Sequence, residues 1–238
     1  GSSSQTIMGQ FNGIPLEKPL TRVRETAELV KIMLAGEKTD YDGETVFSRG
    51  YRQAPMENAP QVYLAALRPK MIEMAAEVGD GVIFNLWPKA ALPKMMEHVA
   101  IGAKAAGKDP AGVEIVNRAM VLCTDDKEYG RNLFRAAFGP YYATPVYNNF
   151  LAWAGYTEAA AQIAEGWAEK DRNKTASAMS DEMIDEIAII GNEDEIQARI
   201  QADADGGVDT HIIAPLAAKK EDVDRTFAAF TGTAYQFA

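Results

Sequence analysis

Four short apolar runs, at residues 61–67, 81–86, 113–123 and 208–215, constrain this chain more than any other feature, because helical patterns follow or separate all of them. That alternation predicts βα units on a parallel sheet. Parallel sheets are covered on both faces, so their strands read as near-continuous apolar runs, and Val82-Ile83-Phe84 and His211-Ile212-Ile213-Ala214 follow that rule. Ligands of such sheets bind at the carboxyl ends of the strands, which directs attention to residues 65–68, 85–87, 123–125 and 215–218.

The connecting segments carry their own punctuation. Pro19 opens a helix with apolar residues Leu20, Val23, Ala27, Val30 and Leu34, and Gly36 closes it. The Asp42-Gly43 pair between potential extended segments predicts a small hairpin or excursion. Arg68-Pro69 starts a helix running to Val78, and Trp87-Pro88 leads into one that reaches about Ala106 and is capped by Gly107. Thr124-Asp125-Asp126 offers N-cap groups to a helix carrying Leu133, Ala136 and Ala137. The stretch 125–188 is too long for a loop, and its short helical patterns hold most of the aromatic residues, which predicts a helical insertion at the ligand-bearing edge with no core strand. Asn192 and Glu195 form a capping-box pattern before Ile196 and Ile200, and Gly206-Gly207 ends that helix. A last helix, 221–230, precedes a loose end.

Composition narrows the function classes. With 34 acidic against 24 basic residues the net charge is -10, which disfavours nucleic acid or an anionic membrane as a partner. The single cysteine, Cys123, excludes an internal disulfide framework and any cysteine-based zinc site, and a reducing cytoplasm is the expected compartment. No run approaches the roughly 20 apolar residues that span a bilayer. With two histidines and no HExxH, CxxC or GxSxG pattern, metal hydrolysis and nucleophilic triads have little support.

The candidate site residues each have a plain structural alternative. Gly1, Ser2, Ser3 and Ser4 form either a backbone nest around a phosphate or a flexible linker, and composition alone favours the linker. Ala65, Ala66 and Leu67 let a flat cofactor approach the backbone or serve tight strand-to-helix packing. Asn85 places an amide at an apolar strand end, where it needs a ligand, a loop backbone or water. Trp87 is more commonly core than cofactor wall, and His98 and His211 are more commonly structural than catalytic.

Several blocks together resemble one family. The opening Gly1-Ser2-Ser3-Ser4, the stretch from Asn12-Gly13-Ile14-Pro15 to Arg24-Glu25, Val62-Tyr63-Leu64-Ala65-Ala66-Leu67-Arg68-Pro69-Lys70-Met71, Gly79-Asp80-Gly81-Val82-Ile83-Phe84-Asn85 and Gly207-Val208-Asp209-Thr210-His211-Ile212-Ile213-Ala214-Pro215 are similar in order and spacing to the bacterial luciferase-like monooxygenases, nearest to the branch using coenzyme F420. The resemblance implies an α/β fold of the (β/α)8 barrel type over residues 1–238, incomplete at its amino-terminal end, with the 125–188 insertion after its third visible strand. It implies an oxidoreductase in which F420, or alternatively FMN, exchanges a hydride with a small-molecule substrate, or FMN activates oxygen, and a homodimer at full length. The non-catalytic alternative is a cofactor-binding or barrel-pairing relative. It further implies that Gly1, Ser2 and Ser3 lie against the cofactor's ribityl or phosphate region, that Ala65, Ala66 and Leu67 contact its tail, and that Asn85 and Leu86 stand at the next strand end. Catalytic residues are left unassigned, no metal is implied, and four βα units alone are expected to make a poor enzyme.

Overall fold

The computed structural model describes residues 1–231, so the loose end expected after the last helix lies outside the described residues. The chain divides into two compact units: Gly1–Ile83 with Met95–Glu114, and Phe84–Lys94 with the described residues from Ile115 onward.

The first unit begins with a wide helical turn, Thr6–Phe11, followed by α1 (Pro19–Leu34). Gly36, at φ 74°, ends α1 in the left-handed backbone that glycine adopts at least cost. The expected hairpin is β1 (Asp40–Asp42) against β2 (Phe47–Arg49), antiparallel. Its loop is anchored by Glu25 of α1, whose carboxylate accepts the Thr45 hydroxyl at 2.5 Å and the backbone N–H groups of Glu44, Thr45 and Val46 at 2.7 to 3.0 Å. The Thr45 hydroxyl leads in holding the Glu25 carboxyl below its ordinary pKa, with the backbone donors adding to it. β3 (Tyr63–Ala65) and β4 (Gly81–Asn85) pair in parallel, with Ala65 opposite Ile83, and are joined by α2 (Pro69–Val78). The ladder extends one bond past β3, the Ala66 N–H donating to the Ile83 carbonyl at 3.1 Å. α3 (Leu92–Ala105) packs against α2 at Gly102, where an added Cβ would lie 2.0 Å from the Glu73 carbonyl oxygen.

β4 carries the chain into the second unit and neighbours β5 (Glu114–Cys123) in the sheet. The insertion follows as five helices: α4 (Lys127–Tyr142), α5 (Pro145–Trp153), α6 (Thr157–Ala168), α7 (Arg172–Ser177) and α8 (Asp181–Ile187). Asp126 caps α4 by accepting the Tyr129 N–H at 3.0 Å, as the Thr-Asp-Asp sequence predicts. The insertion contains no strand, in line with its helical spacing. Its own core comprises Phe134, Tyr142, Leu151, Ile163, Met179 and Met183, joined by Leu86, Met120, Leu122 and Leu216 from the strand ends.

One strand was not anticipated. β6 (Ile189–Gly191) starts directly after α8 and pairs in parallel with residues 121–123 of β5, raising the large sheet from four expected strands to five. The apolar run 187–190 passes from helix to strand with no turn residue between them, and three residues carry no detectable period. After α9 (Glu193–Asp205), which has the predicted capping box, β7 (Thr210–Pro215) pairs in parallel with residues 116–121 of β5, and α10 (Lys220–Ala228) follows. β5 thus explains its own apolar run: Met120 and Leu122 enter the insertion core, while Ala119, Val121 and Cys123 pack with Ile196, Ile200 and Ala229 on the opposite face. No helix among the described residues is long and apolar enough to cross a membrane.

Candidate functional site

In the first unit the predicted residues meet. Gly1 sits on Ala65 so closely that an added Cβ would lie 3.0 Å from the Ala65 Cβ and 3.1 Å from its carbonyl oxygen. Ser3 holds a left-handed backbone, φ 61°, and Ser4 is buried, with its hydroxyl facing the Ile7 N–H at 3.4 Å and its carbonyl accepting the Met8 N–H at 2.9 Å. The opening Gly-Ser run is therefore folded against a strand end, which a linker has no reason to be. Ala65 is exposed and Ala66 is 6% exposed, so the neighbouring alanines face opposite ways, as strand alternation requires. Leu67 is half-buried.

In the second unit the end of β4 is a polar cluster. Asn85 is half-buried, and its Oδ1 accepts from Arg118 Nη1 at 3.3 Å. Burial raises the Tyr147 phenol above its ordinary pKa, and a hydrogen bond with Asn85 and the charge of Arg118 oppose that rise. Leu86 is buried with φ 55°, a conformation that costs a leucine about 1–2 kcal/mol. Its carbonyl accepts the hydroxyl of fully buried Tyr142 at 3.0 Å, which holds the turn in place. Among the described residues four non-glycines have positive φ, and two of them, Ser3 and Leu86, are predicted site residues. Local strain of this kind persists where surrounding structure fixes it and concentrates at functional sites.

Other candidates resolve structurally. Trp87 is 3% exposed and donates its indole N–H to buried Asn117 at 3.0 Å, so it belongs to the core. His98 Nδ1 lies 2.9 Å from Glu73 Oε1 in a helix-to-helix pair. His211 is half-buried in β7, where burial lowers its pKa and Asp203 partly opposes the shift. No group of three or more His, Cys, Asp or Glu residues among those described is arranged to hold a metal. Sequence reasoning missed Arg118 and the roles of Tyr142 and Tyr147; the signal for Arg118 was a charge at the middle of a largely apolar strand run.

A family model described as luciferase-like monooxygenase matches residues 1–210. The chain belongs to that family. It is 32% identical over 213 residues to the 5,10-methylenetetrahydromethanopterin reductase of Methanolobus tindarius, a match covering 88% of this chain and 65% of the relative. Among solved structures, the coenzyme F420 dependent tetrahydromethanopterin reductase of Methanopyrus kandleri superposes with a TM-score of 0.71 at 21% identity, covering 90% of this chain and 64% of that one. The oxygenating constituent of 3,6-diketocamphane monooxygenase from Pseudomonas putida, in complex with FMN, gives 0.61 at 17% identity, covering 96% and 66%. Both likenesses establish the luciferase-like barrel type of fold. The chain spans less than two thirds of the length of the Methanolobus reductase.

Proposed function

We propose that this chain forms part of an F420-dependent oxidoreductase that moves a hydride between the deazaflavin and a small organic substrate, in the cytoplasm and as a homodimer in its complete form. Family membership and the F420-dependent relatives support the reaction class. The observation that carries the site is the coincidence of backbone strain with a predicted cofactor-edge residue, Leu86 at φ 55° after the end of β4.

The residues present fit a flavin-type cofactor. Gly1 and exposed Ala65 keep one strand end free of bulky side chains, and Ser2 and Ser3, which follow Gly1, carry uncharged hydroxyls. Gly1, Ser2, Ser3, Ala65 and Leu67 would hold the tail. Ala66 would support them from the core, and Asn85 and Leu86 would serve at the next strand end. When bound, F420 supplies the hydride chemistry, and the protein binds, orients and shields it. The buried Tyr142 hydroxyl fixes the Leu86 carbonyl, so the second strand end is held before any ligand arrives.

FMN is the second reading, because an FMN-bound monooxygenase shares the fold. Titration of the purified protein with oxidised F420 and with FMN, followed by absorbance and fluorescence, tests both. Tighter binding of F420 is expected, with bleaching of its oxidised band on hydride uptake in the complete form. Tighter FMN binding with substrate-dependent oxygen uptake would replace this reading, and binding of neither would overturn it.

A further inference from the structure

Arg118 is exposed at the middle of β5, while its neighbours Asn117 and Ala119 are buried. Strand alternation puts it on the same face as Met120 and Leu122, and its register partner on β7 is Ile212, itself 47% exposed. The guanidinium is held in place, Nη1 donating to Asn85 Oδ1 at 3.3 Å and to Met120 Sδ at 3.1 Å. No carboxylate among the described residues forms an ion pair with it. Six of the eleven arginines have one, and Arg118 differs from the other four without one among the described residues, Arg22, Arg52, Arg68 and Arg172, in lying within a strand of the large sheet, in a chain with ten more acidic than basic residues. An oriented arginine on a sheet face, beside an exposed apolar side chain and a strained strand end, is built to receive a planar or tetrahedral anion, because its donor fork matches carboxylate and phosphate.

We propose that Arg118 binds an oxyanion, a carboxylate or phosphate group carried by the substrate, with Ile212 beside it for the adjoining apolar part. The word substrate rests on the oxidoreductase reading above; the oxyanion site itself does not. Arg118 is a specificity residue in this scheme, and Asn85 positions it.

The test compares the wild-type chain with Arg118→Met and Arg118→Lys, each checked for folding by circular dichroism. Inorganic phosphate and succinate are titrated against sodium chloride of matched ionic strength, with thermal shift and phosphorus NMR as readouts. The wild type should be stabilised by one of the two anions beyond the salt control. Arg118→Met should lose affinity for that anion by about tenfold or more, the scale of one charge-assisted hydrogen bond, and Arg118→Lys should lose less. If Arg118→Met fails to fold, the comparison with Arg118→Lys decides, and equal anion affinity in that variant overturns the proposal. An anion effect that persists in Arg118→Met, or no anion-specific effect in the wild type, also overturns it. F420 is titrated in parallel: affinity unchanged within about twofold in Arg118→Met supports a substrate group, whereas its loss reassigns the guanidinium to the cofactor and overturns the proposal. Failure of the wild type to bind F420, with an Arg118-dependent anion effect intact, would sink the oxidoreductase reading and leave the oxyanion site standing.

Discussion

Tyr142→Phe isolates the bond that holds the strained turn at Leu86. The hydroxyl is fully buried, it donates to the Leu86 carbonyl at 3.0 Å, and Leu86 is itself only 3% exposed, so water does not readily replace the lost donor. Removing one oxygen scarcely alters packing but strands a buried acceptor, at about 1–3 kcal/mol. Taking about 2 kcal/mol, the melting temperature of a chain of this length should fall by about 4–8 °C. Urea and thermal unfolding followed by circular dichroism would measure it. Tyr141→Phe is the control, since Tyr141 is 40% exposed and its change should stay within about 0.5 kcal/mol. Burial also raises the Tyr142 pKa well above the ordinary 10.0, so the folded protein keeps this proton after the unfolded chain has lost it. Stability from this group is therefore present below pH 10 and declines as pH rises beyond it, and the decline should vanish in Tyr142→Phe. A Tyr142→Phe protein as stable as the wild type, with the same alkaline profile, would refute the claim that this bond fixes the turn.

Three further outcomes are expected. Ala65→Glu should fold normally, because Ala65 is exposed, and should weaken F420 binding in titrations; Ala66→Glu should lower the melting temperature steeply, because it buries an unpaired carboxylate. Gly102→Ala should destabilise by about 1–2 kcal/mol in urea titrations, since the roughly 1 kcal/mol gained in helix propensity does not offset a Cβ placed 2.0 Å from a backbone carbonyl. Burial lowers the His211 pKa from 6.5, so its contribution to stability is present above pH 6.5 and is lost as pH falls toward the folded value; unfolding midpoints across that range should drop less in His211→Phe.

The parts of the fold legible in the sequence are those where burial on both faces leaves a pattern. β3, β4, β5 and β7 all fall within the four predicted runs; β4 and β5 are covered on both faces, whereas β3 and β7 carry the same apolar composition but are only partly covered. Helix ends were legible where a side chain makes a specific bond, as at Asp126, or as at Asn192 with Glu195. β6 escaped because its pairing is set by β5 rather than by its own three residues. The wide turn Thr6–Phe11 escaped because it buries no residue and so imposes no apolar period on the sequence.

The site was legible to a different depth. An alanine at a strand end announces space, which made Ala65 legible from the residues, whereas Gly1 entered only through the family resemblance and its contact with Ala65 was not foreseen. Strain at Ser3 and Leu86 makes no such announcement, since neither residue type prefers a left-handed backbone; its cause is distant in sequence, as the 56-residue separation between Tyr142 and Leu86 shows. Arg118 lies between these cases. A charge within a strand that is otherwise buried on both faces has no solvation unless the fold opens a face to it, so its presence in the run 113–123 already implied an opening on β5. The same reasoning extends to Asn117 beside it, whose amide is buried on the opposite face and is satisfied by the Trp87 indole. Adjacent polar residues in one strand thus separate by alternation and exposure: Asn117 is the buried partner of the Trp87 indole, and Arg118 is the exposed ligand candidate.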